Sequence, residues 1–371
     1  MTQEKLKTKS LTLFFTYRIS LEKWAKTGLL DREIKLYNEL AKRFKKIYFI
    51  TYGGEKELEY KQFLAKNIEV LFNRWGINNL VYSFLIPFLH RKILKNVWVF
   101  KTNQMLGSWA AVISKIIFKK KLIIRHGYQL SLFVKGWALK KYLAQIIERF
   151  AYKKADVVIA TTKVDKKFIS DKYGLSLKKI KVFSNFIETD FFKPLPVKKN
   201  PKRLIFVGRF IERKNIFSLL EAVKKLNAEL VLIGDGPLKE KIKQKIRNER
   251  IKNVKLLGIL PKDQIPRELN KSQIFIIPSF FEGNPKVLLE AMACGLAIIG
   301  TKVMGIKEII KHKENGYLCQ LDSNSLRQAI TDLFRNPALM KKIGTQARNY
   351  TESQCSLDPI VQKELKLYES L

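Results

Sequence analysis

Thirteen short apolar runs of four to seven residues recur along the chain, separated by stretches of helical periodicity. This alternation limits the fold more than any other feature. A strand with one wet face alternates apolar and polar residues. A parallel strand covered by helices on both faces instead reads as a continuous apolar run. Seven runs fall in the first half: LTLFFTY (11–17), IYFIT (47–51), IEVLF (68–72), VWVFK (97–101), LIIR (122–125), DVVIAT (156–161) and IKVFS (180–184). Six follow: RLIFVG (203–208), ELVLIG (229–234), NVKLLG (253–258), IFIIP (274–278), LAIIG (296–300) and GYLC (316–319). Between the first two, GLLDREIKLYNELAKRF holds Leu30, Ile34, Tyr37, Leu40, Ala41 and Phe44 mostly on one helical face. Repeated β–α units of this kind predict an α/β chain with doubly wound parallel sheets. KPLPVKKNPK (193–202), with three prolines and four lysines, breaks the rhythm and reads as a linker. The expected organisation is two Rossmann-like domains, 1–196 and 197–350, then a helical stretch, 351–371, that packs back toward the first. Open α/β sheets bind ligands beyond the carboxyl ends of their strands, so two such domains facing across a cleft would hold the ligand there.

At 371 residues the chain is long enough for two cores, and 46% hydrophobic residues fit a folded protein. Net charge is +38, and residues 70–155 carry sixteen Lys and Arg against one acid, Glu148. Such a field draws polyanions: nucleic acid, anionic lipid or phosphorylated substrates. No zinc-ligand spacing, RNP-type aromatic strand or Gly-x-x-Gly clamp supports nucleic-acid recognition. Three cysteines, Cys294, Cys319 and Cys355, without a Cys-x-x-Cys pair, point to a reducing compartment rather than a disulfide framework or zinc site. The longest apolar run near a basic cluster, LVYSFLIPFL (80–89), has ten residues, and a bilayer span needs roughly 20. Leu11–Phe15 is too short for a signal-peptide core. A cytoplasmic protein that does not cross a membrane is expected.

Chemistry concentrates in FEGNPKVLLEAMACG, residues 281–295. Here a strand leaves the core, Asn284 stands where a helix N-cap belongs, and Pro285 occupies the first helical position. The helix amides and the positive end of its dipole then face whatever lies above the strand ends, which suits a phosphate. Glu282 in the preceding loop can reach hydroxyls beside that anion. Glu290, about 1.5 turns into the helix at 3.6 residues per turn, can bond a diol such as a ribose. Taken singly, Glu282 is an ordinary loop acid and Glu290 a helix-surface partner for Lys286. Upstream, Gly208 and Gly234 end apolar runs, where glycine lets the backbone approach a ligand. Arg209 and Lys214 follow the first of these, and two cations there could support a diphosphate as a leaving group.

In order, VGRFIERKN (207–215), GDGP (234–237), SFFEGNPKVLLEAMACG (279–295), GIKEII (305–310) and NGYL (315–318) resemble the retaining glycosyltransferases of family 4. The resemblance covers about residues 203–335 and implies the GT-B fold. It implies that Glu282 binds donor-sugar hydroxyls, Glu290 the ribose, and Arg209 and Lys214 the diphosphate. The turn Gly283-Asn284-Pro285 and the amides of Lys286, Val287 and Leu288 would face phosphate or ribose. The nucleobase would lie against Ile259 and Leu260. In the first half, RHGY (125–128) is similar to the family's strand-end histidine segment, so His126 should touch the donor sugar near the reacting carbon. Gly28, after Thr27, stands where the family has a glycine loop lining the cleft. There are departures: a single Gly28 replaces a glycine pair, NFIETD (185–190) replaces Asn-Gly-Val-Asp, Ala297 replaces a common proline, and Met304 a common second glycine.

The implied donor is a UDP- or GDP-linked sugar, with no further cofactor and no metal, as the chain has no Asp-x-Asp. His126, Glu282, Arg209 and Lys214 would carry a hexosyl transfer with retention by front-face attack, a donor phosphate oxygen taking the acceptor's proton. The first half would hold the acceptor, a glycan or a polyprenyl-linked saccharide of cell-envelope polysaccharide synthesis. Residues 80–95 join apolar and aromatic side chains to His90, Arg91, Lys92 and Lys95, the makeup of an element lying on an anionic membrane or of a core helix. A nucleotide-sugar epimerase or a phosphorylase on the same fold, and a basic polyanion binder, are the alternatives.

Overall fold

The computed structural model describes residues 3–127 and 138–371. The chain separates into one unit of Met1–Phe183 with Val361–Leu371 and another of Ser184–Ile360. Each is built on an all-parallel sheet, and each of the thirteen apolar runs supplies one strand among the described residues.

In the first unit the strands are β1 (Ser10–Phe14), β2 (Lys46–Ile50), β3 (Ile68–Leu71), β4 (Val99–Thr102), β5 (Lys121–Arg125), β6 (Val157–Ala160) and β7 (Ile180–Val182). Their order is β3-β2-β1-β4-β5-β6-β7. Connections reverse direction at β1, the switch point where such sheets bind ligands. One face packs Phe14, Ile50, Phe100, Ile124 and Val158 against Tyr82, Ile86, Ala111 and Tyr152. The helices on that face are Asn79–Leu89, Ser108–Phe118 and Ala138–Lys154.

The other face receives the helix Leu357–Glu369. Tyr368 meets Phe44 edge-on at 5.1 Å. Lys101 Nζ donates to Glu364 Oε1 at 2.5 Å, with both side chains fully buried. The ammonium also lies 5.4 Å from the Tyr37 ring centre and 5.9 Å from that of Tyr368. Burial pushes the Lys101 pKa down, against the pull of Glu364.

The second unit has β8 (Arg203–Val207), β9 (Glu229–Ile233), β10 (Val254–Gly258), β11 (Ile274–Ile277), β12 (Ala297–Thr301) and β13 (Tyr317–Cys319), in the order β10-β9-β8-β11-β12-β13. Alternate residues enter separate cores. Leu204, Phe206, Leu230, Leu232, Ile274 and Ile276 face one side, while Ile205, Val231, Ile233, Phe275 and Ile277 face the other. Two covered faces are why these strands read as unbroken apolar runs. Cys294, Cys319 and Cys355 are buried and form no disulfide. Burial raises Cys294 and Cys319 to about 12, which leaves them protonated and inert at neutral pH.

The units divide ahead of the 193–202 segment expected to link them. Ile187 and Phe192 are buried in the second core, and the Ile187 amide donates to Cys355 O at 2.7 Å. The proline-rich segment is itself pinned to the second unit. Asn270 accepts from the Leu195 amide and donates to Lys193 O, both at 2.9 Å. The terminal stretch likewise joins the first unit at Val361, not at residue 351.

Candidate functional site

At the carboxyl end of the second sheet, three strand ends are stitched together. Gly208 N–H donates to Ile233 O at 2.9 Å, Gly234 N–H to Gly258 O at 2.8 Å, and Phe210 N–H to Asp235 O at 2.8 Å. The close approach demands glycine at 234, where φ is +139° and a Cβ would fall 1.9 Å from Gly208 O. The result is a cleft of about 560 Å³ lined by Gly208, Arg209, Gly234, Ile259 and Leu260. Val207, Asp235, Gly236 and Ile265 line it as well. Apolar side chains thus face one exposed guanidinium, that of Arg209. Asp235 holds its carboxyl below the usual range through Lys239 and the Gly236 amide.

Behind Gly208 the chain turns through the single helical turn Glu212–Lys214. The Lys214 stem passes the open side of Gly208, its Cε 3.7 Å from where a Cβ would stand. Its Nζ donates to Glu282 Oε1 at 2.6 Å, Arg213 Nη1 donates to Glu282 Oε2 at 2.7 Å, and Ser279 Oγ donates to Oε1 at 2.7 Å. Thr301 at the end of β12 braces Ser279, its hydroxyl donating to Ser279 O at 2.6 Å. Glu282 is therefore a buried, clamped carboxylate rather than an open loop acid. Lys214 engages it directly, a pairing absent from the sequence-based assignment of Lys214 to a diphosphate. Two cations against one carboxylate still leave a net positive charge beside the cleft.

The loop around Glu282 is fixed from a second side. Its amide donates to Met304 O at 3.2 Å, and Gly305, at φ +81°, lies so close that a Cβ would fall 2.1 Å from Glu282 O and 2.2 Å from Gly283 O. The glycine that matters in this loop is Gly305. Met304 is half-exposed beside it.

The helix after the loop is Lys286–Ala293, capped by Pro285 and not by Asn284. Asn284 turns its side chain away, its Nδ2 donating to Ser184 Oγ at 3.0 Å, while its carbonyl accepts from Asn185 Nδ2 at 2.9 Å. The Leu288 amide donates to Pro285 O at 3.2 Å and is not presented outward. Among the described residues the Val287 amide meets no acceptor, so it retains the positive end of the helix. Glu290 is half-buried in the second turn of the same helix.

Two expected site residues belong to the first unit. His126 follows β5 and is 1% exposed. Its Nδ1 pairs with Tyr152 Oη at 2.6 Å, and its Nε2 has no hydrogen-bond partner among the described residues. Burial lowers its pKa against the pull of Asp165, whose carboxylate lies 4.0 Å from Nε2, and of Glu148. The ring is neutral at pH 7. Tyr128, the last residue of that motif, lies outside the described residues. Gly28 does not line a strand-end loop. It terminates the helix Leu21–Lys26 at φ +66°, with Gly28 N–H donating to Ala25 O and Leu29 N–H to Trp24 O. Its left-handed backbone is explained by that helix end.

Sequence reasoning missed Arg213, Ser279, Asp235 and Gly305. The first signal was available in Glu-Arg-Lys (212–214), where two successive cations enter a helix; the rest depend on tertiary contacts.

Residues 187–350 match the family described as Glycosyl transferases group 1, and residues 34–191 match Glycosyltransferase Family 4. N-acetyl-alpha-D-glucosaminyl L-malate synthase of Bacillus anthracis is 26% identical, over 89% of this chain and 85% of its own. The Campylobacter jejuni N-acetylgalactosamine-N,N'-diacetylbacillosaminyl-diphospho-undecaprenol 4-alpha-N-acetylgalactosaminyltransferase is 25% identical, over 76% of this chain and 82% of its own. Among solved structures, Anabaena HepE in complex with UDP has the same fold, with a TM-score of 0.78 at 18% identity over 98% of this chain and 100% of that one.

Proposed function

The chain belongs to the group 1 glycosyl transferases, with the GT-B fold, and on that premise we propose that it moves a hexose-type sugar from a nucleotide diphosphate sugar to a glycan or lipid-linked acceptor in cell-envelope polysaccharide synthesis. The transfer retains anomeric configuration and proceeds without a metal ion. The observation that carries this reading is the second unit's strand-end cleft, where an apolar slot, Arg209, and the Arg213–Glu282–Lys214 cluster come together.

Each part has a task. Ile259, Leu260 and Ile265 give the base an apolar face, and Glu290 bonds the ribose. Arg209 and the Val287 amide bind the diphosphate and stabilise the charge that builds on it as the glycosidic bond breaks. Clamped by two cations and a hydroxyl, Glu282 is held oriented to accept hydrogen bonds from donor-sugar hydroxyls. His126, neutral with Nε2 unclaimed, bonds a sugar hydroxyl. The acceptor hydroxyl attacks the face that the diphosphate leaves, and a phosphate oxygen takes its proton. The relatives act on acceptors as different as a diphospho-undecaprenol saccharide and L-malate. The lipid-linked acceptor is favoured here by the basic first half of the chain. The protein would work in the cytoplasm, on the inner face of an anionic membrane; three cysteines outside any disulfide suit that compartment.

A thermal-shift panel of UDP, GDP and their sugars, with and without a chelator, tests the donor assignment. A ligand at one hundred times its dissociation constant stabilises by roughly 2.7 kcal/mol. One nucleotide series should raise the midpoint, equally in chelator, and Arg209→Ala should cut the rise to about half or less. No shift with either series would refute the donor assignment, and an inverted product anomer by NMR would refute retention.

A further inference from the structure

We propose that one face of the first unit, formed by three adjacent helices, is an interfacial docking surface for an anionic lipid bilayer. It extends the membrane-side reading above to named residues, and its test needs neither donor nor acceptor.

The helix Asn79–Leu89 contains no charged residue. Its inner side buries Tyr82 and Ile86 in the core. Its outer side presents Leu80, Val81, Phe84 and Phe88, the last 61% exposed. A helix apolar all round belongs in a core or in lipid, and this one has half its circumference in contact with neither. Ser108–Phe118 packs beside it, with Trp109 stacked on Phe84 at 6.4 Å and donating from Nε1 to Ser83 Oγ. Its last turn exposes Ile116 and Ile117. Ala138–Lys154 packs in turn on Ser108–Phe118 and exposes Tyr142, Ile146 and Phe150, a stripe at four-residue spacing. The three outer stripes lie on helices from one face of the sheet. Scattered exposed apolar side chains are ordinary; an exposed apolar stripe on each of three successively packed helices is not.

The charge around the patch selects the occupant. Arg91, Lys92 and Lys95 follow the first helix, Lys119 and Lys121 the second, and Arg149, Lys153 and Lys154 lie along the third, all exposed. The only acid in residues 70–155, Glu148, is fully buried and accepts from Tyr173 Oη at 2.6 Å. A second copy of this chain would bring the same cations against themselves. Nucleic acid would satisfy the cations and leave the Leu, Val, Ile and Phe side chains wet. An anionic bilayer satisfies both: its acyl boundary takes the apolar stripes and its headgroups take the basic rim. No helix among the described residues is long and apolar enough to cross the bilayer, so the mode is insertion of side chains into one leaflet.

The experiment is flotation of the full chain with vesicles of phosphatidylcholine and phosphatidylglycerol at about three to one, against pure phosphatidylcholine. Binding to the anionic vesicles is expected, weaker in raised salt. Phe84→Gln with Phe88→Gln should cut partition at least about tenfold without changing the far-ultraviolet circular dichroism. Phe84→Trp should remain bound and be quenched by lipids brominated near the headgroup end of the acyl chain. No binding to anionic vesicles overturns the proposal. So does binding that survives the double substitution, or a patch-dependent dimer in light scattering without vesicle binding. Those failures would leave the nucleotide panel, and the transferase reading, untouched.

Discussion

Replacing Glu364 by Leu tests whether the buried ion pair of the first unit is the interaction that holds its final helix. In the native protein the Lys101 ammonium and Glu364 carboxylate touch at 2.5 Å with no solvent exposure. Their attraction offsets the desolvation of both. Removing the carboxylate leaves an ammonium in an apolar site, and breaking a buried pair in this way costs about 3–5 kcal/mol. Lys101→Met alone strands the carboxylate and should cost about as much. The double variant K101M/E364L removes both charges and keeps the volume apolar, so its stability should return to within about 1–2 kcal/mol of the native protein. The coupling across the cycle is then roughly 3 kcal/mol or more. The pH dependence has a fixed sign. Burial already lowers the folded-state pKa of Lys101 from the ordinary 10.5 in the native protein, against the pull of Glu364; E364L removes that pull and so lowers it further, while the unfolded chain keeps 10.5. The unfolded state therefore binds more protons between those values, and stability rises with pH through that window by up to about 1.4 kcal/mol per unit. The E364L deficit should shrink between pH 7 and 10. Urea denaturation of the four proteins at both pH values measures all of this. A double variant as unstable as the two single changes summed, or a deficit that does not fade with pH, would refute the reasoning.

His90 is buried and hydrogen-bonded to Tyr82 Oη at 2.9 Å, and burial with Arg74 nearby lowers it from 6.5 to about 4. Between those values only the unfolded state is protonated, so stability should fall by about 3 kcal/mol as pH drops through that window; NMR titration of the ring should show no change until near pH 4. Gly305→Ala forces a Cβ to within 2.1 Å of Glu282 O at φ +81°. It should cost of order 1–3 kcal/mol in stability and weaken donor binding measured by calorimetry. Arg209→Ala, at an exposed cleft position, should weaken donor binding by roughly ten- to a hundredfold, the worth of a charge-assisted bond, with no loss of melting temperature in the unliganded protein.

The strands were legible because burial on both faces writes itself into sequence as unbroken apolar runs; β4 began two residues later than expected because Val97 packs in the core ahead of the ladder. The cleft was legible in local turn chemistry at Gly208, Arg209 and Gly234, while Ile259 and Leu260, which also line it, came only from the family resemblance. What sequence could not show were choices between partners far apart in the chain. Asn284 has the residue type of a helix cap, yet its side chain bonds Ser184, one hundred residues away. Lys214 and Arg213 look like free cations until the fold brings Glu282 to them from 68 and 69 residues away. Gly28 looked functional because a left-handed glycine serves a ligand loop and a helix end equally well.

The first unit is assembled from two stretches of chain, and this sets an order on its birth. Lys101 lies 263 residues before Glu364, so its counter-ion does not exist until synthesis has passed through the whole of the second unit. Residues 184–360 are contiguous and can complete their own sheet as they are made. The amino-terminal unit, translated first, closes last, and until then carries an unmatched lysine and a sheet face only partly covered by the helices Leu21–Lys26 and Leu30–Ala41.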